Sequence, residues 1–207
     1  MKSSVLMSIV LLIAVLSCST SGQPEVTETP TLNASADRIL IVYLSRTKNT
    51  KAVAEMIQQQ VGGKLVALEL QSPYPADYRT TVDQVARENA SGFLPPLATK
   101  IDSIEKYDLI FLGFPTWGMQ LPPPIKSFLA QYNLEGKTIA PFNTNAGYGI
   151  GTSFDQVRNL ASRSNVVDGF STQGGIERDG VLFVMQGDKQ VQVNNEVASW
   201  LRNLKLP

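Results

Sequence analysis

Histidine is absent from this sequence, and cysteine occurs once, as Cys18. Without histidine there is no imidazole base for a Ser-His-Asp or Cys-His catalytic group, and no histidine ligand for a metal. One cysteine forms neither an intrachain disulfide nor a thiolate cluster. We therefore predict no metal site, and any redox chemistry has to come from an imported cofactor.

Charge is also scarce. Charged residues make up 17% of the 207 residues, and 18 basic side chains balance 18 acidic ones. No run of basic residues is present to neutralise phosphates, so we predict no nucleic-acid partner. The hydrophobic fraction of 43% is ordinary for a globular core, and the length favours one domain with tails.

The first segment has the pattern of an export signal. Lys2 precedes an apolar stretch over Val5–Leu16 that is too short to span a bilayer, which takes ~20 apolar residues. The small residue before Cys18 resembles a bacterial lipobox, in which the cysteine is acylated. We therefore predict a lipoprotein-type signal peptide over residues 1–18 with lipidation at Cys18. The alternative is an ordinary cleaved signal with an incidental cysteine.

The residues after Cys18 predict how the protein is placed in the cell. Ser19 follows instead of an aspartate, which favours the outer membrane over retention at the inner membrane. Residues 19–36 are rich in Ser, Thr, Pro, Gly and Glu, as in a flexible tether. We expect a bacterial envelope lipoprotein that is attached to the membrane by its lipid alone. Its domain, residues 37–207, is expected to face the periplasm.

Strand and helix patterns alternate along that domain. Short β-branched apolar runs predict strands over residues 38–44, 64–70, 107–114, 137–144 and 166–170. Apolar residues at helical spacing predict helices over residues 51–61, 76–90, 123–132, 154–162 and 191–204. This alternation predicts an α/β fold with a parallel sheet covered by helices on both faces. Residues 174–187 fit the scheme least, and a small hairpin around 181–184 is expected there.

Ligands of such sheets bind beyond the carboxyl ends of the strands, so the loops after the first, third and fourth strands are candidates. The first loop, residues 45–50, combines hydroxyls and an amide with the start of a helix, which predicts an anion site. It contains no glycine, so it is neither a Walker A loop nor a dinucleotide fingerprint. The alternative is a well-capped turn. The candidate ligands are Ser45, Arg46, Thr47, Lys48, Asn49 and Thr50.

The other two loops carry aromatic rings and glycines. Trp117 and Gly118 follow the third strand, and Tyr148 lies in a loop with three glycines after the fourth. A core tryptophan and a flexible loop are the alternatives for each segment taken alone. Together the three loops indicate a phosphate joined to a flat polar ring system. Its further candidate contacts are Pro115, Thr116, Trp117, Gly118, Thr144, Asn145, Ala146, Gly147 and Tyr148.

These segments carry a family resemblance. Residues 45–50 resemble the Ser/Thr-x-Thr-Gly-Asn-Thr phosphate loop of the flavodoxin family. Further similar segments lie at residues 74–78, 95–97, 107–118, 136–142 and 200–201, in order, as in a short-chain, lipoprotein-type branch. The resemblance implies a doubly wound, five-stranded parallel sheet of order 2-1-3-4-5 that binds FMN at its switch point.

The resemblance also implies roles for individual residues. Hydroxyl and amide groups of Ser45, Thr47, Asn49 and Thr50 would hold the FMN phosphate. Trp117 and Tyr148 would flank the ring, while Gly118 and the backbone of residues 145–147 would meet its polar edge. No residue is expected to act as a general acid or base.

Lys48 departs from the family pattern, which has glycine at that place. If the position needs a positive φ, a lysine there costs about 1 kcal/mol. Its cation and that of Arg46 are expected near the phosphate.

The sequence leaves three functions open. An FMN-binding protein of this kind is either a one-electron carrier or an FMN-dependent reductase of a quinone or nitro compound. Its partner is accordingly a redox protein or a small-molecule electron acceptor. The rival from another class is a flavin-free binding module that keeps the fold, because a fold alone does not fix a function.

Overall fold

The computed structural model describes residues 35–204. The predicted signal peptide, Cys18 and nearly all of the predicted tether lie outside these residues. Within the described part of the chain, no helix is both long and apolar enough to cross a membrane.

Strands and helices alternate as the sequence patterns predict. The strands are β1 (Ile39–Tyr43), β2 (Lys64–Ala67), β3 (Leu109–Pro115), β4 (Thr138–Asn145), β5 (Asn165–Val166) and β6 (Phe170–Gln173). The α-helices are α1 (Asn49–Val61), α2 (Tyr78–Ser91), α3 (Pro123–Gln131), α4 (Ser153–Leu160) and α5 (Gly187–Asn203). Short 3₁₀ turns lie at Ala36–Arg38, Ile104–Lys106 and Glu177–Asp179.

The strands form one parallel sheet of order β2-β1-β3-β4-β5, which confirms the predicted order 2-1-3-4-5. β6 also pairs with β4, so two short strands share the fifth position. Ile139 pairs with Val166 and Phe142 with Phe170, which leaves one extra residue between the two pairs on the outer side. This is a β-bulge.

The bulge lies opposite Pro141, which has no N–H group to donate to a neighbouring strand. A Cβ at Gly169 would lie 2.9 Å from the Pro141 carbonyl oxygen, so the outer chain passes close to the proline. The prediction of one continuous strand over 166–170 is therefore wrong in its middle. Of the predicted hairpin around 181–184, the structure shows one isolated antiparallel bridge, between Ile176 and Val181, and no strand.

Both faces of the sheet are buried because the central strands are apolar on both sides. Leu40 and Val42 of β1 pack towards α3 and α4, whereas Ile39 and Ile41 pack towards α1 and α5. Because the strands are parallel, the carboxyl ends of β1, β3 and β4 lie at one edge of the sheet.

Candidate functional site

A cavity of about 600 Å³ opens at that edge of the sheet. Three loops, α2 and residues 174–178 line it. The structure brings twelve of the predicted site residues to its wall, namely Arg46, Thr47, Asn49, Thr50, Pro115, Thr116, Trp117, Gly118, Thr144, Asn145, Ala146 and Tyr148. Ser45, Lys48 and Gly147 do not line it.

The first loop passes directly into α1. Lys48 is the residue before the helix and has φ 68°, so the position does require the left-handed conformation that the family's glycine suits. Its side chain is exposed and makes no capping hydrogen bond. The Ser45 hydroxyl instead accepts from the N–H of Lys51 at 3.2 Å. Ser45 therefore caps the helix start, while Lys48 shapes the turn.

The start of α1 offers neutral donors to an anion. The first N–H groups of a helix have no acceptor within it and carry partial positive charge. Thr47 Oγ1 accepts from Asn49 Nδ2 at 2.8 Å, which leaves the threonine's hydroxyl proton available for donation. The hydroxyls of Thr50 and Thr144 lie 2.8 Å apart and are both buried. One of these two protons joins the pair, and the other can be given to a ligand.

Arg46 binds the protein itself. Its Nε donates to Glu177 Oε1 at 2.6 Å, and its two Nη atoms donate to the carbonyl oxygens of Pro75 and Ala76 at 2.8 and 2.7 Å. The carboxylate balances the guanidinium charge, and the expectation that this cation lies near the phosphate stays a prediction. Arg46 joins the first loop to two neighbouring segments.

Asn49 is likewise committed to the protein. Its Nδ2 donates to the Leu182 carbonyl at 2.6 Å as well as to Thr47, and its Oδ1 accepts from the Val184 N–H at 3.0 Å. These bonds fasten residues 174–184, which we call the strap, over the start of α1. The Asn49 amide therefore positions the strap, and its expected role as a phosphate ligand stays a prediction.

The strap is a part of the site that the sequence patterns missed. Residues 174–178 line the cavity, yet they belong to the segment that fits the strand–helix alternation least. The glycine pair at 174–175 is the one feature of the sequence that could have indicated the strap. In the structure, a Cβ at Gly175 would lie 2.3 Å from the Val181 carbonyl oxygen, so this position requires glycine. That pair permits the strap to fold closely on itself.

Residues 117–120 form a tight turn after β3. Trp117 and Gln120 exchange two backbone hydrogen bonds, of 3.3 and 3.1 Å. The two central residues, Gly118 and Met119, have φ of 57° and 59°, as in a type I′ turn. The Met119 carbonyl accepts from the Thr152 N–H at 3.0 Å, which ties the turn to the loop after β4.

Trp117 is held from behind by a second aromatic residue. The edge of one ring meets the face of the other between Tyr74 and Trp117, with 5.2 Å between ring centroids and 90° between planes. The Tyr74 hydroxyl donates to the buried carboxylate of Glu88, which also accepts from Gln84 at 2.8 Å. Burial, together with this hydrogen bond, raises the pKa of Tyr74. The tryptophan ring therefore has a fixed support.

Tyr148 is less constrained. Its side chain is 63% exposed, and its hydroxyl accepts from Arg178 Nη2 of the strap at 3.2 Å. The loop around it is shaped by Asn145, whose Oδ1 accepts from the N–H groups of Gly147 and Gly149 at 2.8 and 3.2 Å. Asn145 thus holds the loop through its side chain.

The structure adds α2 to the predicted site. One face of this helix contributes Tyr78, Thr81, Val82, Val85, Ala86, Asn89 and Ala90 to the cavity. The sequence patterns place α2 as a helix but contain no feature that marks this face as a cavity wall.

A family profile described as Flavodoxin matches residues 38–185 of this chain. A search of curated proteins finds no match. Among solved structures, a protein of Bacteroides eggerthii provisionally described as a flavoprotein is 25% identical with a TM-score of 0.65, and the match covers 82% of this chain and 99% of that one.

Two further solved structures are similar. A flavoprotein of Lactobacillus acidophilus in complex with FMN is 26% identical with a TM-score of 0.57, over 70% of this chain and 99% of that one. A Bacteroides uniformis protein with the same provisional description is 23% identical with a TM-score of 0.66, over 81% and 99% of the two chains. This last likeness concerns the fold.

Proposed function

The chain belongs to the flavodoxin family, and from that premise we propose that it binds FMN in the cavity at the carboxyl edge of the sheet and transfers electrons through it. The observation that carries this proposal is the convergence of the three predicted loops on one cavity. The similar Lactobacillus acidophilus flavoprotein, whose structure contains FMN, supports the same cofactor.

The polar end of the cavity fits a phosphate monoester. Its donors are hydroxyls and helix N–H groups, and such groups bind phosphate well at the start of a helix. The guanidinium and carboxylate at this end, Arg46 and Glu177, balance each other. We propose that Thr47 and Thr50 donate to the phosphate, with Thr144 holding the Thr50 hydroxyl in place.

The other end fits a flat ring system. A cavity of about 600 Å³ lies within the usual range for cofactor pockets. We propose that Trp117 and Tyr148 flank the ring, with Trp117 as the rigid face because Tyr74 supports it. Bound FMN supplies electron and hydride chemistry that no side chain can provide. The protein's residues bind it, orient it and limit its contact with water.

Lys48 does not favour the flavin-free alternative. In the structure it adopts the positive φ that the family's glycine would adopt, so the first loop keeps its form at a modest cost in backbone strain. Lys48, the departure from the family's phosphate loop, therefore gives the flavin-free binding module no support.

The spectrum of the purified protein tests the proposed function. We expect the absorption bands of an oxidised flavin, and FMN as the flavin released on denaturation. A colourless protein that also fails to take up added FMN would favour the flavin-free module.

We also propose that the protein is a lipid-anchored envelope protein. The support is the sequence of residues 1–18, which lie outside the described residues. Expressed in a bacterial host, the natural chain should fractionate with membranes and Cys18→Ser with the soluble envelope fraction. Cytoplasmic retention of both would contradict the export signal.

A further inference from the structure

Glu88 is a buried carboxylate to which the proposed function gives no role. It belongs to α2, its side chain is 7% exposed, and it does not line the cavity. None of the ion pairs formed among residues 35–204 includes it. A buried carboxylate without a counter-ion is costly unless hydrogen bonds satisfy it. The hydrogen-bond partners of Glu88 therefore indicate what its side chain does.

Two side chains donate to this carboxylate. Gln84 Nε2, one turn earlier in α2, donates to Oε1 at 2.8 Å. The Tyr74 hydroxyl donates to Oε2. The first bond stays within α2, whereas the second joins the helix to the segment that precedes it. A carboxylate is a strong acceptor for a phenol, so Glu88 fixes the outer end of the Tyr74 side chain.

The backbone around Tyr74 does little to fix the direction of its ring. Residues 71–77 form neither a helix nor a strand. Pro73 and Pro75 flank Tyr74, and a proline has no N–H group with which to hold the segment. Among the described residues, the bond to Glu88 is the one hydrogen bond that the Tyr74 side chain makes. The direction of this ring therefore depends on its hydroxyl.

The Tyr74 ring in turn contacts Trp117. The two rings meet edge to face, with 5.2 Å between centroids and 90° between planes, which is a preferred geometry for aromatic pairs. Trp117 lines the cavity, whereas Tyr74 does not. A chain of contacts thus runs from the buried carboxylate of α2, through Tyr74, to the wall of the cavity.

We propose that Glu88 is a positioning residue, which acts through the Tyr74 hydroxyl to hold Trp117 in place as the rigid face of the flavin site. This inference rests on the proposed function. Without the carboxylate, the phenol hydroxyl loses its buried acceptor and turns towards water, because an unpaired buried hydroxyl is costly. The edge-to-face contact is then lost. The ring end of the site loses its support, while the phosphate end keeps its donors.

Three substitutions separate this role from a general contribution to stability. Glu88→Met removes the acceptor and keeps a side chain of similar length, and Tyr74→Phe removes the donor and keeps the ring. Glu88→Gln is the matched control, because its amide oxygen still accepts from Tyr74. Gln84 can turn its own amide so that an oxygen meets the new NH₂ group. If Glu88→Met does not fold, Tyr74→Phe makes the same test.

The first measurement is fluorine NMR of flavin-free protein labelled with fluorotryptophan. The chain contains two tryptophans, so two lines are expected, and Trp200→Phe identifies the line of Trp117. Glu88→Met and Tyr74→Phe should shift or broaden the Trp117 line, and Glu88→Gln should leave it in place. The Trp200 line is the internal control, because Trp200 packs on the other face of the sheet. An unchanged Trp117 line in Glu88→Met, or equal changes of both lines, would overturn the inference.

The second measurement is titration with FMN and with riboflavin. Glu88→Met and Tyr74→Phe should each weaken both flavins by the same factor, about three- to tenfold, because the ring is common to both. Glu88→Gln should stay within about twofold of the natural protein. The double variant Tyr74→Phe with Glu88→Met should bind within about twofold of the weaker single variant, since the two residues act as one unit.

Two results of this titration would overturn the inference. One is a weakening confined to FMN, and the other is a double variant in which the two single effects multiply. If the natural protein binds neither flavin, the proposed function fails. The fluorine lines then still decide whether Glu88 positions Trp117, because they are measured without flavin.

Discussion

The first loop and the 117–120 turn lie at neighbouring strand ends, but they are held in different ways. In the first loop, the side chains of Arg46 and Asn49 make six hydrogen bonds, five of them to other segments. The 117–120 turn is held by its own backbone and by Thr152. Its two central residues are exposed.

This difference indicates how the two ends of the cavity work. Side-chain bonds to the strap and to the segment before α2 fix the shape of the first loop. Such preorganisation lowers the entropic cost of binding. The turn has fewer constraints, and its position depends on close backbone packing. We therefore expect the polar end to set affinity and the turn to set the fit around the ring.

The largest expected effect concerns Gly151, which packs against the turn. A Cβ at Gly151 would lie 2.0 Å from the Met119 carbonyl oxygen, and its φ is 56°. Gly151→Ala should therefore lower the free energy of unfolding by about 3 kcal/mol, from overpacking and backbone strain together. Thermal or urea unfolding measures this effect.

Gly149→Ala is the matched control. Gly149 has φ 84°, but nothing lies within 4 Å of its would-be Cβ, so we expect a loss of about 1 kcal/mol from backbone strain. Equal losses for the two variants would mean that close packing against Met119 does not hold the turn.

The next effect is on the strap. Asn49→Ala removes the amide that bonds to Leu182 and Val184. We expect a loss of about 2 kcal/mol in unfolding free energy, with faster hydrogen exchange at the Val184 amide. Asn49→Asp keeps the acceptor for Val184 and should protect that amide better than alanine does. If exchange at Val184 is the same in all three proteins, Asn49 does not fasten the strap.

A comparable effect is expected on cofactor binding. Replacing both Thr47 and Thr50 by alanine removes two hydroxyl donors. The double substitution should weaken FMN binding by about 2 kcal/mol, or about 30-fold. Riboflavin affinity, measured by the same fluorescence titration, is the control and should change little because riboflavin has no phosphate. If the binding of both flavins weakens equally, the two threonines do not act through the phosphate.

The smallest effect tests backbone strain in the first loop. Lys48→Gly removes the strain of a side chain at φ 68° and should stabilise the protein by up to about 1 kcal/mol. The gain is limited because glycine also has more conformational entropy in the unfolded chain. Lys51→Gly, three residues later within α1, should destabilise it by about 1 kcal/mol. If both glycine substitutions change the free energy of unfolding in the same direction, the backbone at Lys48 is not strained.

The features that the sequence predicts are local ones. β1 and β3 are continuous apolar runs, and the first loop joins hydroxyl residues to a helix start. Because parallel strands bring their carboxyl ends together, these patterns were sufficient to predict which three loops meet. The family resemblance then supplied the strand order.

The features that the sequence does not reveal depend on distant residues. Gly151 lies against Met119, which is 32 positions earlier in the chain, and Glu177 neutralises Arg46 from 131 positions away. The break in the fifth strand arises opposite Pro141 rather than within the strand itself. No residue pattern of one segment records such pairings, because they depend on the assembled sheet.

Titration of the apoprotein with FMN and with riboflavin tests the central claim most directly. If the first loop is a preformed phosphate site, FMN should bind at least about a hundredfold more tightly than riboflavin, since the two threonine hydroxyls contribute about 2 kcal/mol and the N–H groups at the start of α1 add to them. Equal affinity for the two flavins, or binding of neither, would contradict it.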